Sequence, residues 1–304
     1  MKILLTGKNG QVGWELQRTL APLGQVVAVD RRTLDLGNPD SIRAVIREIR
    51  PDLIVNPAAY TAVDKAESEP ELAMAVNGIA PGIMAEEARK LGAAMIHYST
   101  DYVFDGRKTS PYTEQDIPNP LNVYGRTKLA GEQAIQAVGV PHLILRTSWV
   151  YGMRGKNFLL TILRLVKERE ELKIVNDQIG APTWSRMIAE ATAQILAQSV
   201  LPLTPHSSLL TQYSGIYNLT AAGQTSWYGF TKAILESMAI QGAHSSLITH
   251  HPLPKLLPIP TSDYPLPAPR PLFSLLASDK LSETFGMKLP PWDDSLALCM
   301  AGDG

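Results

Sequence analysis

The sequence predicts an α/β fold, a Rossmann-like doubly wound parallel sheet joined to a smaller C-terminal lobe. Three observations predict it: short apolar strands alternate with helical patterns over roughly the first 150 residues, a glycine-rich turn follows the first strand, and the alternation weakens after that point. Parallel strands that alternate with helices need right-handed crossovers, which cover both faces of the sheet. A chain of 304 residues can bury such a core and still form a second lobe.

The predicted elements follow in order along the first half of the chain. A strand at 2–6 leads into the turn GKNGQVG, and a helix then runs to about residue 23. A second strand, QVVAV, ends at Asp30. The remaining elements are a helix near 39–50, a strand at 53–56, a long helical stretch near 70–91, the strand AMIHYST, a loop at 101–119, a helix that carries Tyr124 and Lys128, and a strand at 142–146.

The second half of the chain has a looser pattern. Prolines accumulate from Pro252 to Pro271, and because proline interrupts helices we expect an irregular segment that covers a cleft. Residues 199–213 have the composition of a surface insertion, to which no function is assigned. The sequence contains no solenoid repeat and no long low-complexity tract.

The turn GKNGQVG has the properties of a phosphate-binding loop. Gly7, Gly10 and Gly13 allow the backbone to approach a pyrophosphate closely at the N-terminus of a helix. Such a turn can also be only a tight connection, but Asp30 favours a dinucleotide, because a carboxylate there can accept hydrogen bonds from ribose hydroxyls. The two arginines that follow Asp30 could instead meet a 2′-phosphate. The choice between NADPH and NADH is therefore open.

Tyr124 and Lys128 predict proton transfer beside that loop. They lie four residues apart on one face of a helix, so the ammonium group can lower the pKa of the phenol from about 10. Thr100 ends the preceding strand, where its hydroxyl would hold the reacting oxygen. Tyr228 and Lys232 repeat the spacing, but no such strand precedes them, and we expect Tyr228 to pack beneath a helix. The pattern indicates hydride transfer with a tyrosine as the acid.

Composition and charge exclude several other classes of protein. The formal net charge is −1 and no long basic run occurs, which excludes an extended nucleic-acid surface. Cys299 is the only cysteine, so neither an internal disulfide nor a cysteine-based zinc site can form, and this fits a reducing compartment. No apolar run reaches membrane-spanning length. We expect a cytoplasmic protein that acts on a small molecule, without nucleic-acid or membrane partners.

Six sequence stretches together resemble the extended short-chain dehydrogenase/reductase family. They cover roughly the first 190 residues: GKNGQVGWELQ, AAYTAVDKAESEPE, HYSTDYVFDG, PLNVYGRTKLAGE, RTSWVYG and NDQIGAPT. The resemblance implies reduction of the C4 ketone of a sugar nucleotide, dTDP-4-dehydro-β-L-rhamnose, to dTDP-L-rhamnose by NADPH, with NADH as the alternative. This reaction would be the last step in making dTDP-rhamnose for surface polysaccharide.

The resemblance also implies roles for individual residues. Tyr124 would donate the proton, Lys128 would lower the pKa of Tyr124 and bind the nicotinamide ribose, and Thr100 would align the substrate carbonyl. Asp101 and Trp149 would contact the sugar nucleotide, although Asp101 can also cap a loop and Trp149 can be core. The expected cofactor-binding residues are Gly7, Gly10, Gln11, Val12, Gly13, Asp30, Asp35, Leu36, Ala59, Tyr60, Thr61, Tyr124 and Lys128; Asp35 can also cap the helix that follows it.

The sequence pattern and the family resemblance also imply a division into two lobes and a set of possible partners. Residues 1–150, with a later segment at about 215–240, would form the NAD(P)-binding domain, and 151–304 would be mainly a substrate-binding lobe. Some family members hold Mg²⁺ between subunits through carboxylates, so Mg²⁺ and a homodimer are open, with Glu15, Glu190 and Asp293 as weak metal candidates. The alternatives are an epimerase or dehydratase of the family, or a regulatory subunit that binds NADP without catalysis. The chain departs from the family where Leu272 and Phe273 follow an Arg-Pro pair, because the family usually has asparagine there.

Overall fold

The computed structural model of the chain describes residues 1–200, 210–242 and 253–301. The expected insertion at 199–213 therefore lies mostly outside the described residues. Within the described part, the strands are β1 Lys2–Leu5, β2 Gln25–Ala28, β3 Leu53–Asn56, β4 Ala94–Thr100, β5 His142–Thr147, β6 Val150–Tyr151, β7 Glu171–Val175, β8 Ile179–Gly180, β9 Thr183–Trp184, β10 Gly215–Asn218, β11 Thr225–Ser226 and β12 Lys255–Ile259.

The helices of the described residues separate these strands. They are α1 Gln11–Thr19, α2 Pro39–Ile49, α3 Val63–Ala66, α4 Pro70–Met74, α5 Ala80–Leu91, α6 Val123–Val138, α7 Phe158–Glu168, α8 Ser185–Val200, α9 Trp227–Gly242, α10 Asp279–Phe285 and α11 Trp292–Ala301. In that part of the chain no helix is both long enough and apolar enough to cross a membrane.

A six-stranded parallel sheet forms the centre of the fold, in the order β10-β5-β4-β3-β1-β2. Its strands are nearly continuous apolar runs, as is usual for a parallel sheet that is buried on both faces. Side chains of α1, α8 and α10, such as Leu16, Ile188 and Leu281, pack on one face. Side chains of α2, α5 and α6, such as Ile42 and Ile135, pack on the other. The doubly wound, Rossmann-like architecture predicted from the sequence is confirmed.

The sheet draws on residues beyond position 150. β10 pairs in parallel with β5 and forms one edge of the sheet. Helix α8 packs against α1 on the face opposite α6. A separate hydrophobic cluster formed by residues beyond position 150 includes Tyr151, Phe230 and Leu296.

Two segments differ from the sequence predictions. The helical stretch expected near 70–91 is divided by a single π-helical turn at Ala75–Ile79, where Asn77 uses its side chain to bind the backbone of Tyr60. The proline-rich segment is not irregular throughout, because β12 pairs in parallel with β7. Pro258 fits this strand because a two-stranded sheet leaves every strand with a free edge, where a missing N–H costs little.

Candidate active site

Two cavities lie at the end of the sheet where the parallel strands have their carboxyl ends. The first, of about 290 Å³, is next to the end of β2, and the second, of about 440 Å³, lies over the glycine-rich turn. They adjoin, since Gly7, Ala58 and Ala59 line both. Every residue that the sequence predicted for the cofactor lines one of these two cavities: Gly7, Asp30, Asp35, Leu36, Ala59 and Tyr60 line the first, and Gly7, Gly10, Gln11, Val12, Gly13, Ala59, Thr61, Tyr124 and Lys128 line the second.

The glycine-rich turn leaves no room for side chains. Gly7 has a φ of +60°, and a Cβ at Gly13 would overlap the carbonyl oxygen of Gly7. Gly10 is the N-cap of α1, and no side chain caps the first N–H groups of that helix. Those N–H groups and the positive end of the helix dipole are therefore free to meet an anion in the second cavity.

Asp30 presents a carboxylate to the first cavity. Burial tends to raise its pKa, but the backbone N–H groups of Arg32 and Thr33 and the nearby Lys8 outweigh burial, so the pKa of Asp30 is lowered. The Lys8 Nζ lies 3.4 Å from Asp30 Oδ2. Arg31 also lines this cavity. The site thus offers both an acceptor for ribose hydroxyls and cations beside it.

Lys128 reaches from α6 into the sheet. Its Nζ donates to the carbonyl oxygen of Tyr98 at 2.6 Å and lies 3.2 Å from His97 Nε2. The side chain is 2% exposed. Burial lowers its pKa to about 8, against the negative charge of Glu132, which acts to raise it. Lys128 can therefore change its charge near neutral pH.

Tyr124 behaves differently from the sequence-based expectation. Burial raises its pKa to about 12; a hydrogen bond with Thr100 acts to lower that pKa, and the charge of Asp101 raises it further. The predicted lowering by Lys128 is therefore wrong for this structure, since the amine is bound to β4 instead. At neutral pH the phenol keeps its proton.

Thr100 and Asp101 form a buried pair beside Tyr124. The Thr100 hydroxyl donates to Asp101 Oδ1 at 3.0 Å and accepts the Tyr102 backbone N–H at 3.2 Å. The side chain of Asp101 is 1% exposed, and burial raises its pKa to about 6. Neither residue lines the first two cavities. Other residues therefore cover Asp101 and would lie between it and a sugar bound in either cavity.

Trp149 is held in an unusual conformation. Its φ is +45°, a region that large L-residues rarely adopt. Its ring stacks on Trp227 with centroids 3.6 Å apart and planes 5° apart. A Cβ at Gly180 would lie 2.5 Å from Trp149 Cε2. The ring therefore packs closely on both a glycine and a second tryptophan.

A third cavity, of about 380 Å³, is lined mainly by α7, β7 and the proline-rich segment. Tyr102 and Trp227 line it, and Tyr102 makes an edge contact with the Tyr124 ring at 5.6 Å between centroids. Arg270, from the proline-rich segment, also lines it and forms a bidentate ion pair with Asp64 at 2.9 and 2.8 Å. This cavity thus adjoins the candidate acid and contacts the Trp149–Trp227 stack.

Sequence reasoning missed several lining residues. Ser99, next to the end of β4, and Thr147, at the end of β5, line the second cavity and have buried hydroxyl groups without a hydrogen-bond partner. Their position at carboxyl strand ends was a usable signal. Lys156 also lines the second cavity, and Gln178 and Trp227 line the third. These last three come from segments without regular periodicity or from one helix end, where spacing carries no signal.

The second tyrosine–lysine pair (the decoy pair) and the three metal candidates lie outside these three cavities. Tyr228 and Lys232 are on α9 and line none of the three cavities, and Lys232 forms an exposed ion pair with Glu236. Glu15 binds Arg18 and Arg186. Across the described residues, no three His, Cys, Asp or Glu side chains form a group that could hold a metal ion, so Glu15, Glu190 and Asp293 are not brought together.

Comparisons with known proteins place the whole chain in one family. The sequence profile described as RmlD substrate binding domain matches residues 1–303. A dTDP-4-dehydrorhamnose reductase from Burkholderia thailandensis is 50% identical over 99% of this chain and 98% of its own length. The Escherichia coli protein of the same name is 47% identical over 96% of this chain and 94% of its own. A crystal structure of a dTDP-4-dehydrorhamnose reductase from Bacillus anthracis in complex with NADP superposes with a TM-score of 0.87 at 33% identity, over 99% of both chains. The chain therefore belongs to the RmlD family, the family of the dTDP-4-dehydrorhamnose reductases.

Proposed function

We propose that this chain reduces the C4 ketone of dTDP-4-dehydro-β-L-rhamnose to dTDP-L-rhamnose, with NADPH as the preferred donor and NADH as the alternative. One observation carries the proposal. Every residue expected to bind the cofactor, Tyr124 and Lys128 included, lines one of two adjoining cavities. The Tyr124 ring also contacts the ring of Tyr102, which lines the third cavity. A cofactor site, an acid and a second binding space therefore meet at one point. The reductase names of relatives at 42–50% identity support the same reaction.

The residues of the first two cavities fit a dinucleotide. The uncapped N-terminus of α1 suits the pyrophosphate, and Asp30 suits the adenosine ribose. Lys8 and Arg31 are the cations available for a 2′-phosphate, and the NADP-bound relative supports NADPH. Ser99 and Thr147 offer free hydroxyls where a nicotinamide carboxamide would need partners.

The chain's own residues would protonate and orient the substrate. When bound, the nicotinamide supplies the hydride to the carbonyl carbon. Tyr124 then donates its phenolic proton to the carbonyl oxygen, and its raised pKa keeps that proton in place until negative charge develops there. Thr100, which hydrogen-bonds to Tyr124, would hold the same oxygen, and the Lys128 ammonium would bind the nicotinamide ribose in the second cavity. Hydride and proton together convert the ketone to the alcohol.

The third cavity is the proposed place of the sugar nucleotide. Trp227 offers an aromatic surface that suits a base, and Arg270, which Asp64 holds in place, offers hydrogen-bond donors that suit a diphosphate. In this division, residues 1–150 with the segment at about 215–240 bind the dinucleotide, and 151–304 mainly bind the substrate. We further propose a cytoplasmic location, where reduced cofactor is available, and assembly as a homodimer.

A coupled assay of cofactor oxidation tests the reaction. Purified protein receives dTDP-4-dehydro-L-rhamnose, and the ultraviolet absorbance of NADPH or NADH is followed with and without the sugar. We expect steady oxidation that requires the sugar and proceeds faster with NADPH. A sugar product formed without net oxidation would identify an epimerase or dehydratase. Cofactor binding with no conversion of any sugar nucleotide would identify a non-catalytic subunit.

A matched pair of variants tests the acid. Tyr124→Phe removes the proton donor and should lower kcat by about 100-fold or more while cofactor affinity is kept. Tyr228→Phe makes the same change at the decoy spacing and should leave kcat unchanged. Equal rates for Tyr124→Phe and the parent enzyme would show that another group donates the proton.

A further inference from the structure

A buried chain of polar side chains lies behind the candidate active site. The Thr6 hydroxyl donates to Asn56 Oδ1 at 2.6 Å, Asn56 Nδ2 lies 3.1 Å from His97 Nδ1, and His97 Nε2 lies 3.2 Å from Lys128 Nζ. None of these four residues is more than 2% exposed. Hydride transfer and substrate binding give no role to Asn56 or His97.

The parallel sheet brings these groups together. Asn56 and His97 are register partners on the neighbouring strands β3 and β4, so their side chains leave the same face of the sheet. Thr6 follows β1, the next strand, and its N–H binds the carbonyl oxygen of Val55. Lys128 approaches from α6. The row of hydrogen-bonded side chains therefore runs from the ends of β1 and β3 across the middle of β4 to the amine.

In this row of hydrogen-bonded side chains, the donor or acceptor role of each group fixes the role of its neighbour. Burial and the charge of Lys128 hold the pKa of His97 well below its usual range, so the ring is neutral, with one N–H and one lone pair. An ammonium group has only hydrogens to offer, so a charged Lys128 requires Nε2 to accept. The ring proton must then lie on Nδ1, which requires an oxygen of Asn56 opposite it. A half-turn of the Asn56 amide provides that oxygen and presents Nδ2 to the Thr6 hydroxyl.

A neutral Lys128 requires the reverse arrangement. His97 Nε2–H then donates to the amine lone pair, Nδ1 accepts from Asn56 Nδ2, and Asn56 Oδ1 accepts from Thr6, which is the amide orientation in the structure. Both arrangements preserve the Thr6–Asn56, Asn56–His97 and His97–Lys128 hydrogen bonds with the same heavy-atom positions. The pKa of Lys128, about 8, makes both charge states accessible near neutral pH.

We infer that His97 is a positioning residue that holds the Lys128 amine in both of its charge states by changing tautomer, with Asn56 and Thr6 as its supports. The ring itself never becomes charged. When Lys128 loses a proton, the ring proton moves from Nδ1 to Nε2 and the Asn56 amide turns over. The amine therefore keeps its place beside the cofactor cavity whether or not it carries charge.

The other groups that face Lys128 do not replace His97. On α6, Glu132 acts on Lys128 through its charge but is itself bound to Arg146 of β5 at 2.9 and 2.6 Å. Tyr124, one turn earlier on α6, is neutral near pH 8, where Lys128 changes its charge. From β4, the carbonyl oxygen of Tyr98 accepts one hydrogen of Lys128 in its ammonium form. His97 is thus the side chain that can change its hydrogen bonding when the charge of Lys128 changes.

Nitrogen NMR of the whole protein with labelled histidine tests the inference, because the two neutral tautomers have different ¹⁵N shifts. The His97 signals are identified by their loss in His97→Gln. Between about pH 6 and pH 10 we expect these signals to pass from the Nδ1–H to the Nε2–H pattern without an imidazolium stage. We expect the change to be absent in Lys128→Met. An unchanging tautomer, a charged ring, or a change that persists without Lys128 would overturn the inference.

A pH profile of kcat provides a second test, which rests on the proposed function for the role of Lys128. His97→Phe keeps a ring but removes the hydrogen bond to the amine in both charge states. Because the bond from the charged ammonium is the stronger of the two, the alkaline limb of the profile should move down by about one pH unit. His97→Gln returns an acceptor and should restore most of that shift. The matched control is His142→Phe, a buried histidine on β5 whose Nδ1 lies 2.8 Å from the carbonyl oxygen of Val140, and it should leave the limb unchanged.

The two tests separate failures of the two ideas. A parent enzyme that oxidises no cofactor but shows the tautomer change would overturn the proposed reaction alone. An active parent enzyme whose His97→Phe limb stays in place would overturn the role of His97 alone.

Discussion

Glu132→Gln should destabilise the protein strongly because it leaves a buried arginine without a counter-ion. Glu132 and Arg146 are only 1% and 2% exposed and form two hydrogen bonds of 2.9 and 2.6 Å. Arg146 Nη1 already lacks a partner, so no other group nearby can take over the charge. Breaking one side of such a pair typically costs about 3–5 kcal/mol.

The loss can be measured as a shift in thermal and denaturant unfolding. A destabilisation of that size corresponds to a fall in Tm of about 10 °C in a chain of this length. Glu132→Met combined with Arg146→Met removes both charges and should recover most of the loss, since an apolar pair of similar volume is often neutral. We also expect the alkaline limit of activity to move down, because Glu132 supports the charge of Lys128.

A second buried glutamate provides the control. Glu87 is also buried, but its partners, Arg47 and Lys90, are more than half exposed and can be solvated when the carboxylate is removed. Glu87→Gln should therefore cost less than Glu132→Gln, because solvent screens both partners of Glu87. If Glu132→Gln cost no more than Glu87→Gln, burial of the arginine would not determine the loss, and the reasoning would be refuted.

Three further changes have defined outcomes. Gly13→Ala places a Cβ against the carbonyl oxygen of Gly7, so the cofactor Kd from fluorescence titration should rise by more than about tenfold, and an unchanged Kd would contradict the tight turn. Gly180→Ala displaces the Trp149 ring, so KM for the sugar nucleotide should rise by about tenfold while cofactor Kd stays constant; a rise in both would place the effect elsewhere. Arg47 holds the pKa of Glu87 down at about 2, below its ordinary 4.5. The difference in unfolding free energy between the parent protein and Glu87→Gln should therefore be largest above pH 4.5 and should disappear as the pH falls to about 2. Unfolding free energies of both proteins across that range check the sign.

Local chain patterns predicted the sheet half of the molecule well. The run of Ile3, Leu4 and Leu5 before a glycine turn has one low-energy arrangement, a buried strand that feeds a helix, and β1 and α1 form it. β12 escaped prediction because proline argues against strands, and only the pairing with β7 shows that Pro258 has a free edge. The π turn at Asn77 likewise depends on a partner distant in sequence, the backbone of Tyr60.

The site was predictable where its residues are close in sequence and hidden where tertiary contacts determine it. The spacing of Tyr124 and Lys128 correctly indicates a shared helix face, but it contains no information on burial, and burial reverses the expected direction of the Tyr124 pKa. Trp227 lies next to the decoy tyrosine and has no motif of its own. Only the fold shows that it stacks on Trp149.

The position of β10 affects the chain while it is being made. The five strands β1 to β5 leave the ribosome first, and β5 then has one edge whose N–H and C=O groups have no partner until Gly215–Asn218 emerges and pairs with it. Leu143 and Leu145 of β5 also pack with residues of α8 and α10, which emerge later, so this edge of the sheet exposes apolar side chains as well as unpaired backbone groups. An edge of that kind recruits strands from other chains. A message truncated between β5 and β10 would therefore yield an aggregating fragment, and slow translation through that interval would lower the yield of the intact protein.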